Sequence, residues 1–331
     1  MKFAVQFCLF LMALSFGGEF CGLAAQVSAK HVRVSGREYV KLNDWARANK
    51  FTVRWLKPNK TIQLSNASAK IILSVDPRTD RSKAVVNGIE VSLAFAMYYS
   101  KGVAYISQLD LSNTLSPLLS PPRNASGIKV KTICIDPGHG GKDPGYRVKG
   151  HNEETYTLLL AKELQEVLQD AGFKVILTRT KDVYVGLESR PALAKKHKAD
   201  LFISLHFNAF RSSSVKGIET YCITPAGAYS SNSGGKGNTR WVTGNRNTEK
   251  NMQLAYQVQR SLVNSLKAED RGVKHARYKV LADASMPAIL VEGGFMSNPT
   301  EGKNIFNSWY RKKMARAIKD GILAYKKAVH G

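Results

Sequence analysis

From residue 130 to the C-terminus, short apolar runs alternate with amphipathic helical segments, and no other feature restricts the fold so tightly. Residues 133–136, 174–178, 200–206, 218–223 and 288–292 read as strands, with a shorter one at 278–281. Between them, 153–171 carries Leu160, Leu164, Val167, Leu168 and Ala171 on one face, with Gly172 as its stop. Further helices are expected at 187–197, at 248–267 (Leu254, Val258, Leu262) and at 308–329 (Met314, Ile318, Ile322, Tyr325). Strands alternating with helices predict an α/β architecture, a mostly parallel twisted sheet with helices on both faces.

The N-terminal part reads differently. Lys2, an apolar run from Phe3 to Phe16 and small residues through Val27-Ser28-Ala29 follow the order of a secretory signal peptide. Cleavage is expected after Ala29, with Ala25 as second choice, so residues 1–29 are a leader and the protein is exported to the periplasm, envelope or exterior. Residues 30–111 read as a small β-rich α+β domain with alternating runs and a helical piece at 41–49 that turns Leu42, Trp45 and Ala46 inward. Asn87-Gly88 marks a hairpin within it. The stretch 112–129, with SPLLSPPRNASG at its centre, reads as a linker, which leaves 130–331 as a second domain. Cys8 and Cys21 fall in the leader; Cys134 and Cys222 lie on expected strands and read as buried thiols.

The formal net charge of +24 calls for polyanionic surroundings. A leader removes the chain from the genome and no nucleic-acid module is visible, so nucleic acid is excluded as a partner. Anionic cell-envelope polymers, met through the basic surface, are the expected counterpart.

In open α/β sheets, ligands bind at the carboxyl ends of the strands. The first strand of the second domain runs into Asp136-Pro137-Gly138-His139-Gly140-Gly141-Lys142, a Gly-rich turn that presents a histidine. The same reading of strand ends gives His206 and Glu292, and Glu153 stands at a helix start, where the helix dipole favours a carboxylate. Two histidines and one carboxylate form a catalytic zinc set, with the remaining carboxylate as general base. Glu292 ends an apolar strand that desolvates it, which suits the base; Glu153 suits the ligand, with Glu154 as the alternative. His151, two residues before Glu153, is a weaker candidate for the metal shell. His275 is expected on the rim, Arg190 as a bridge between helix and sheet, and Asn208 as a partner that orients the metal ligands.

These pieces have a known counterpart. IDPGHGGKDPG, NEETYTLLLAKELQEVLQDAGFKVILTR, LESRPALAKKHKADLFISLHFNA, KGIETY, DRGVKHARYKVL and MPAILVEGGFMSN, in that order, make residues 130–331 resemble the zinc-dependent N-acetylmuramoyl-L-alanine amidases of the amidase-3 type. The resemblance implies one zinc ion per chain on His139, Glu153 and His206, and Glu292 as the catalytic glutamate. It prefers Glu153 to Glu154 because the family's ligand stands five residues before a helix leucine, here Leu158. The implied substrate is peptidoglycan, cut between the lactyl group of N-acetylmuramic acid and L-alanine. A zinc peptidase or carboxypeptidase of the stem peptide, or a wall-binding protein without catalysis, are the alternatives. Relatives that need a protein activator carry a blocking helix. Residues 224–247, rich in Gly, Ser and Asn, are expected instead to form a rim or lid, and an activator is left unspecified. The N-terminal region, through GREYVKLNDWA, VNGIEV and GVAYISQLDL, resembles the N-terminal domain of copper amine oxidases, which implies envelope attachment.

Overall fold

The computed structural model describes residues 31–74, 83–125, 129–231, 233 and 237–330. The expected leader lies outside these residues.

In the C-terminal part, β10 (Thr132–Pro137), β13 (Lys174–Leu177), β14 (Leu201–Asn208) and β17 (Ala288–Phe295) are mutually parallel, in the order β13-β10-β14-β17. β15 (Ile218–Ile223) then pairs antiparallel with β17, and β16 (Asp270–Ala276) pairs parallel with β15. The sheet is therefore mostly parallel with one reversal. That reversal brings the start of β15 beside the carboxyl end of β17.

Alternation along the strands separates two cores. Ile133, Ile135, Ile203, Leu205, Ile289 and Val291 face helices α4 (Glu153–Asp170), α6 (Thr248–Leu266) and α9 (Ser308–His330), whose Leu160, Leu164, Val258, Met314 and Ile318 are buried with them. Cys134, Phe202, Tyr221 and Leu290 face the other way, toward α5 (Ser189–Lys196) and α7 (Lys279–Ala282). Each fully buried side chain of this size contributes roughly 1.5–3 kcal/mol, so both layers are held mainly by this burial. Cys134 and Cys222 are free, buried thiols on opposite faces, each pushed up to about 12 by burial.

The expected strand at 278–281 is instead α7, and the strand lies earlier, at β16. Gly272 and the charged residues of DRGVKHA mask a strand pattern that pairing on both sides of β16 restores. A helix that the sequence reading missed, α8 (Pro299–Phe306), is capped by Asn298, whose side chain accepts from the Thr300 and Glu301 amides.

The N-terminal region forms two pieces of sheet. β1 (His31–Val34), β2 (Arg37–Lys41), β8 (Tyr98–Ser100) and β9 (Val103–Ser107) make a small sheet in the order β1-β2-β9-β8, beside helix α1 (Leu42–Ala48). β3 (Thr52–Lys57), β4 (Thr61–Ser65), β5 (Lys70–Ser74), β6 (Lys83–Val86) and β7 (Ile89–Ser92) form an antiparallel meander. Asn87 and Gly88 both take positive φ, as a tight hairpin turn between β6 and β7 requires. β7 then lies parallel to β16, with Val91 opposite Val273, so the meander continues the large sheet.

Part of the expected linker is helical. α2 (Gln108–Asp110), a π turn (Leu111–Leu115) and α3 (Ser116–Leu119) run on from β9, with Leu111 and Leu115 buried in the shared core. Pro117 sits in the first turn of α3, where its missing N–H costs nothing. Up to Leu119 the linker expectation is thus corrected, because apolar residues beside the prolines found a surface to bury against.

Candidate metal centre

His139 follows β10 with φ of +62°, a left-handed conformation uncommon for a residue with a side chain. Its Nδ1 lies 2.9 Å from Asp143 Oδ2, and its Nε2 lies 3.2 Å from Glu153 Oε1. Glu153 opens α4 and is nearly fully buried. Its Oε1 also accepts from the Phe207 amide at 3.1 Å, and its Oε2 accepts from the Tyr146 amide at 3.0 Å. His206, near the end of β14, places Nδ1 3.0 Å from Glu153 Oε1, and its ring meets that of His139 edge-on at 4.9 Å. One ligand atom from each of His139, Glu153 and His206 falls within 4.8 Å of the others. The loop glycine beside them is needed for room: a Cβ on Gly138 would stand 2.2 Å from His206 Cε1.

Glu292 is the residue on β17 opposite His206, and Glu219 on β15 is opposite Glu292. Its Oε2 is buried without a hydrogen-bond partner. Burial first, then the charges of Glu153 and Glu219, push its carboxyl well above the usual carboxylate range, against the pull of Lys274. Burial pushes Glu153 the same way, but His139 and His206 outweigh it and hold that carboxyl well below the usual range. Burial also opposes charge on His139, yet the carboxylates of Glu153 and Asp143 hold its imidazole above the ordinary value. Two carboxyls in one site are thereby driven apart in proton affinity, the arrangement that separates a ligand from an acid–base group.

Around them lies a cavity of 360 Å³, walled by Tyr146, Leu187, Arg190, Asn208, Tyr278 and Val280 among others. Arg190 bridges α5 to the loop as expected, donating to Asp136 Oδ1 (2.8 Å) and to the carbonyls of Pro137 (2.8 Å) and His139 (2.9 Å). Glu154 stands apart from the cluster, with Oε1 accepting from Asn152 Nδ2. His151 is committed elsewhere, bonded to the Tyr156 hydroxyl and stacked 3.9 Å from the Phe306 ring. Asn208 does not orient the ligands: it reaches Glu219 at 3.5 Å, while Asp143 and backbone amides hold His139 and Glu153. His275 is not on the rim but only 1% exposed, because its strand position faces the helical layer. No described residue of 224–247 walls the cavity. β15 runs against β17, so the stretch that follows it leaves from the opposite end of the sheet. There, Ser231 bonds the His275 carbonyl, and Arg277 holds the Arg240 carbonyl.

The sequence reading missed a second polar layer. Buried Glu219 accepts from Arg271 Nε (2.5 Å), Lys274 Nζ (2.7 Å) and the Tyr221 hydroxyl (2.6 Å), all beside Glu292. The signal lay in KGIETY and DRGVKHA, where charged residues interrupt strands, but only the pairing of β15 with β16 shows that they meet.

A family model described as N-acetylmuramoyl-L-alanine amidase, Amidase_3, matches residues 133–324. The Bacillus subtilis protein named N-acetylmuramoyl-L-alanine amidase LytC is 35% identical over 195 residues, 59% of this chain and 35% of its own. The Neisseria meningitidis amidase AmiC is 32% identical over 242 residues, 66% of this chain and 57% of its own. The match thus spans about a third of the first relative and just over half of the second. Among solved structures, an N-acetylmuramoyl-L-alanine amidase from Clostridium difficile 630 is 33% identical with a TM-score of 0.51, covering 60% of this chain and 97% of that one. The matched residues include the whole cluster from His139 to Glu292, and on this ground the chain belongs to the Amidase_3 family of N-acetylmuramoyl-L-alanine amidases.

Proposed function

We propose that the protein is an exported, zinc-dependent peptidoglycan amidase that cuts between the lactyl group of N-acetylmuramic acid and the L-alanine of the stem peptide. The observation that carries this reading is the convergence of His139, Glu153 and His206 beside the unpartnered Oε2 of Glu292. Two imidazoles and a carboxylate suit zinc, and three protein ligands leave a position open for chemistry. A zinc ion on these residues supplies Lewis acidity, which lowers the pKa of a water and polarises the scissile carbonyl.

The chain's own residues do the rest. Asp143 grips Nδ1 of His139 and fixes the orientation of its ring. The Tyr146 and Phe207 amides lock Glu153 by both oxygens. Glu292 takes the proton released as water attacks the amide carbonyl and returns it to the nitrogen of L-alanine as the C–N bond breaks. The raised proton affinity of its carboxyl suits a group that must hold a proton through that interval. The site test is metal analysis together with turnover. Glu292→Gln is expected to retain one zinc per chain and lose activity by about 10²–10⁴-fold, and His139→Ala to lose the metal. Unchanged turnover by Glu292→Gln would remove it from the mechanism.

Export is supported by the leader-like order of residues 1–29 and agrees with an envelope substrate. Among the described residues, no helix is long and apolar enough to cross a membrane. The net charge of +24 favours retention near anionic envelope polymers.

A further inference from the structure

The face of the sheet that carries the catalytic cluster does not stop at the catalytic part of the chain. His206, Glu292 and Glu219 are laterally paired and share one face, and Lys274 reaches Glu219 from the next strand. Val273 of β16 pairs with Val91 of β7, and both are buried in the helical layer on the opposite face. Alternation then puts Lys274 and Glu90, their neighbours in sequence, on the catalytic face. The close approach at Gly272 agrees: its missing Cβ would stand 3.0 Å from that of Glu90. From Glu90 the paired residues are Val85, Ile72, Gln63 and Arg54, on successive strands. Lys83 and Lys70, two residues away on β6 and β5, share this face, and Lys83 pairs with Glu90 at 2.6 Å.

This face is open. Arg54, Lys70 and Lys83 are exposed, and Gln63, Ile72, Val85 and Glu90 are partly exposed, whereas the opposite face buries Ile62, Leu64, Ile71, Leu73, Ala84 and Val86. Lys83 stands four strand spacings from Glu292, roughly 19 Å at about 4.8 Å each. At roughly 20–25° of twist per strand, the strip on β7, β6 and β5 is turned by roughly 60–125° from β17, so a bound strand must bend to run from the cavity along it.

We infer that this strip is a docking track for the peptidoglycan strand whose amide is being cut. The inference rests on the amidase reading and adds to it where the rest of the polymer lies. The track lies on the same face of the same sheet as Glu292, and its chemistry suits a carbohydrate bearing acidic peptides. The Gln63 amide and the hydroxyls of Thr61 and Ser65 can meet sugar hydroxyls, Ile72 and Val85 offer apolar ground for sugar C–H faces, and Arg54, Lys70 and Lys83 complement peptide carboxylates. The N-terminal strands are then a substrate-binding extension of the catalytic sheet, rather than a tether held away from it.

The test compares a polymer with a fragment, using the zinc-loaded full chain. Lys83→Glu and, separately, Gln63→Glu are assayed on intact sacculi freed of attached anionic polymers and on a soluble monomeric muropeptide. Gln63→Glu breaks no ion pair, so it guards against a folding defect in Lys83→Glu. Each variant is expected to raise KM on sacculi about three- to fivefold and to weaken co-sedimentation with them, with kcat/KM on the monomer unchanged. Unchanged KM and co-sedimentation on sacculi would overturn the track, as would an equal loss on both substrates. Wild-type protein that sediments only with sacculi retaining their anionic polymers would assign the basic face to those polymers and overturn it too. Failure of the wild type to release peptides with free L-alanine amino termini from either substrate would refute the amidase reading instead, and co-sedimentation of the variants would still judge the track.

Discussion

His139 carries the demands of the site in one residue. It takes a left-handed backbone, gives Nδ1 to Asp143 and turns Nε2 toward Glu153. Removal of its support should loosen the metal without removing a ligand: Asp143→Ala is expected to weaken zinc affinity by about 10–100-fold, read by competition with a chromogenic chelator. Affinity equal to wild type would show that the loop alone fixes the ring. His275 makes a separate prediction. Its imidazole is buried with both nitrogens unpartnered, and burial depresses it from 6.5 to about 4. Above 6.5 it is neutral folded or unfolded. As pH falls from 6.5 toward 4, the unfolded chain takes up a proton that the folded chain refuses, so stability is lost across that window, on the order of 3 kcal/mol in all. His275→Leu should flatten that part of the curve, measured by urea unfolding at pH 7.5 and pH 4.5. An unchanged slope would place the acid sensitivity elsewhere. The candidate ligand positions were legible in the sequence because strand ends and a helix start announce themselves by pattern, with the choice of Glu153 over Glu154 resting on the family resemblance. Asp143, Glu219 and Lys274 were not, since their role depends on which strands pair and which carboxylate an imidazole meets.

Among the elements, β16 has the most exacting position, paired with β15 on one side and β7 on the other. Gly272 permits this with φ of +83°, and a Cβ there would meet the Glu90 carbonyl oxygen at 2.8 Å. Gly272→Ala is therefore expected to cost about 1–3 kcal/mol and to expose β7 amides to hydrogen exchange before those of β14. Equal protection of both strands would mean that the junction tolerates the change. The regular elements of the α/β pattern were legible because apolar period and helix stops agree, as in α4, α6 and α9. β16 was not, because its glycine and charges obey partners distant in sequence. The short α7 was read as a strand for a related reason: four residues hold too little of either period, and packing against α5 and the sheet decides between them.

For the molecule as a whole, one core joins regions that the sequence separates. Ile62, Ile71 and Val91 from the N-terminal strands belong to the same buried cluster as Leu160, Val258 and Ile318. A domain boundary reads from composition as a Pro/Ser-rich break, but whether two regions share a core depends on surfaces that composition does not reveal. Here Tyr256 of α6 donates to the Val86 carbonyl at 3.0 Å, and the π turn after β9 buries Leu111 and Leu115. Whether this sheet presents a metal-dependent amidase centre to the cell wall is decided by mass spectrometry of digested peptidoglycan. Purified sacculi incubated with the zinc-loaded protein should release stem peptides with free L-alanine amino termini and leave glycan chains with intact lactyl groups, with Glu292→Gln releasing almost none. Cleavage within the stem peptide or the glycan, or the same products in the same yield from Glu292→Gln, would contradict the amidase reading.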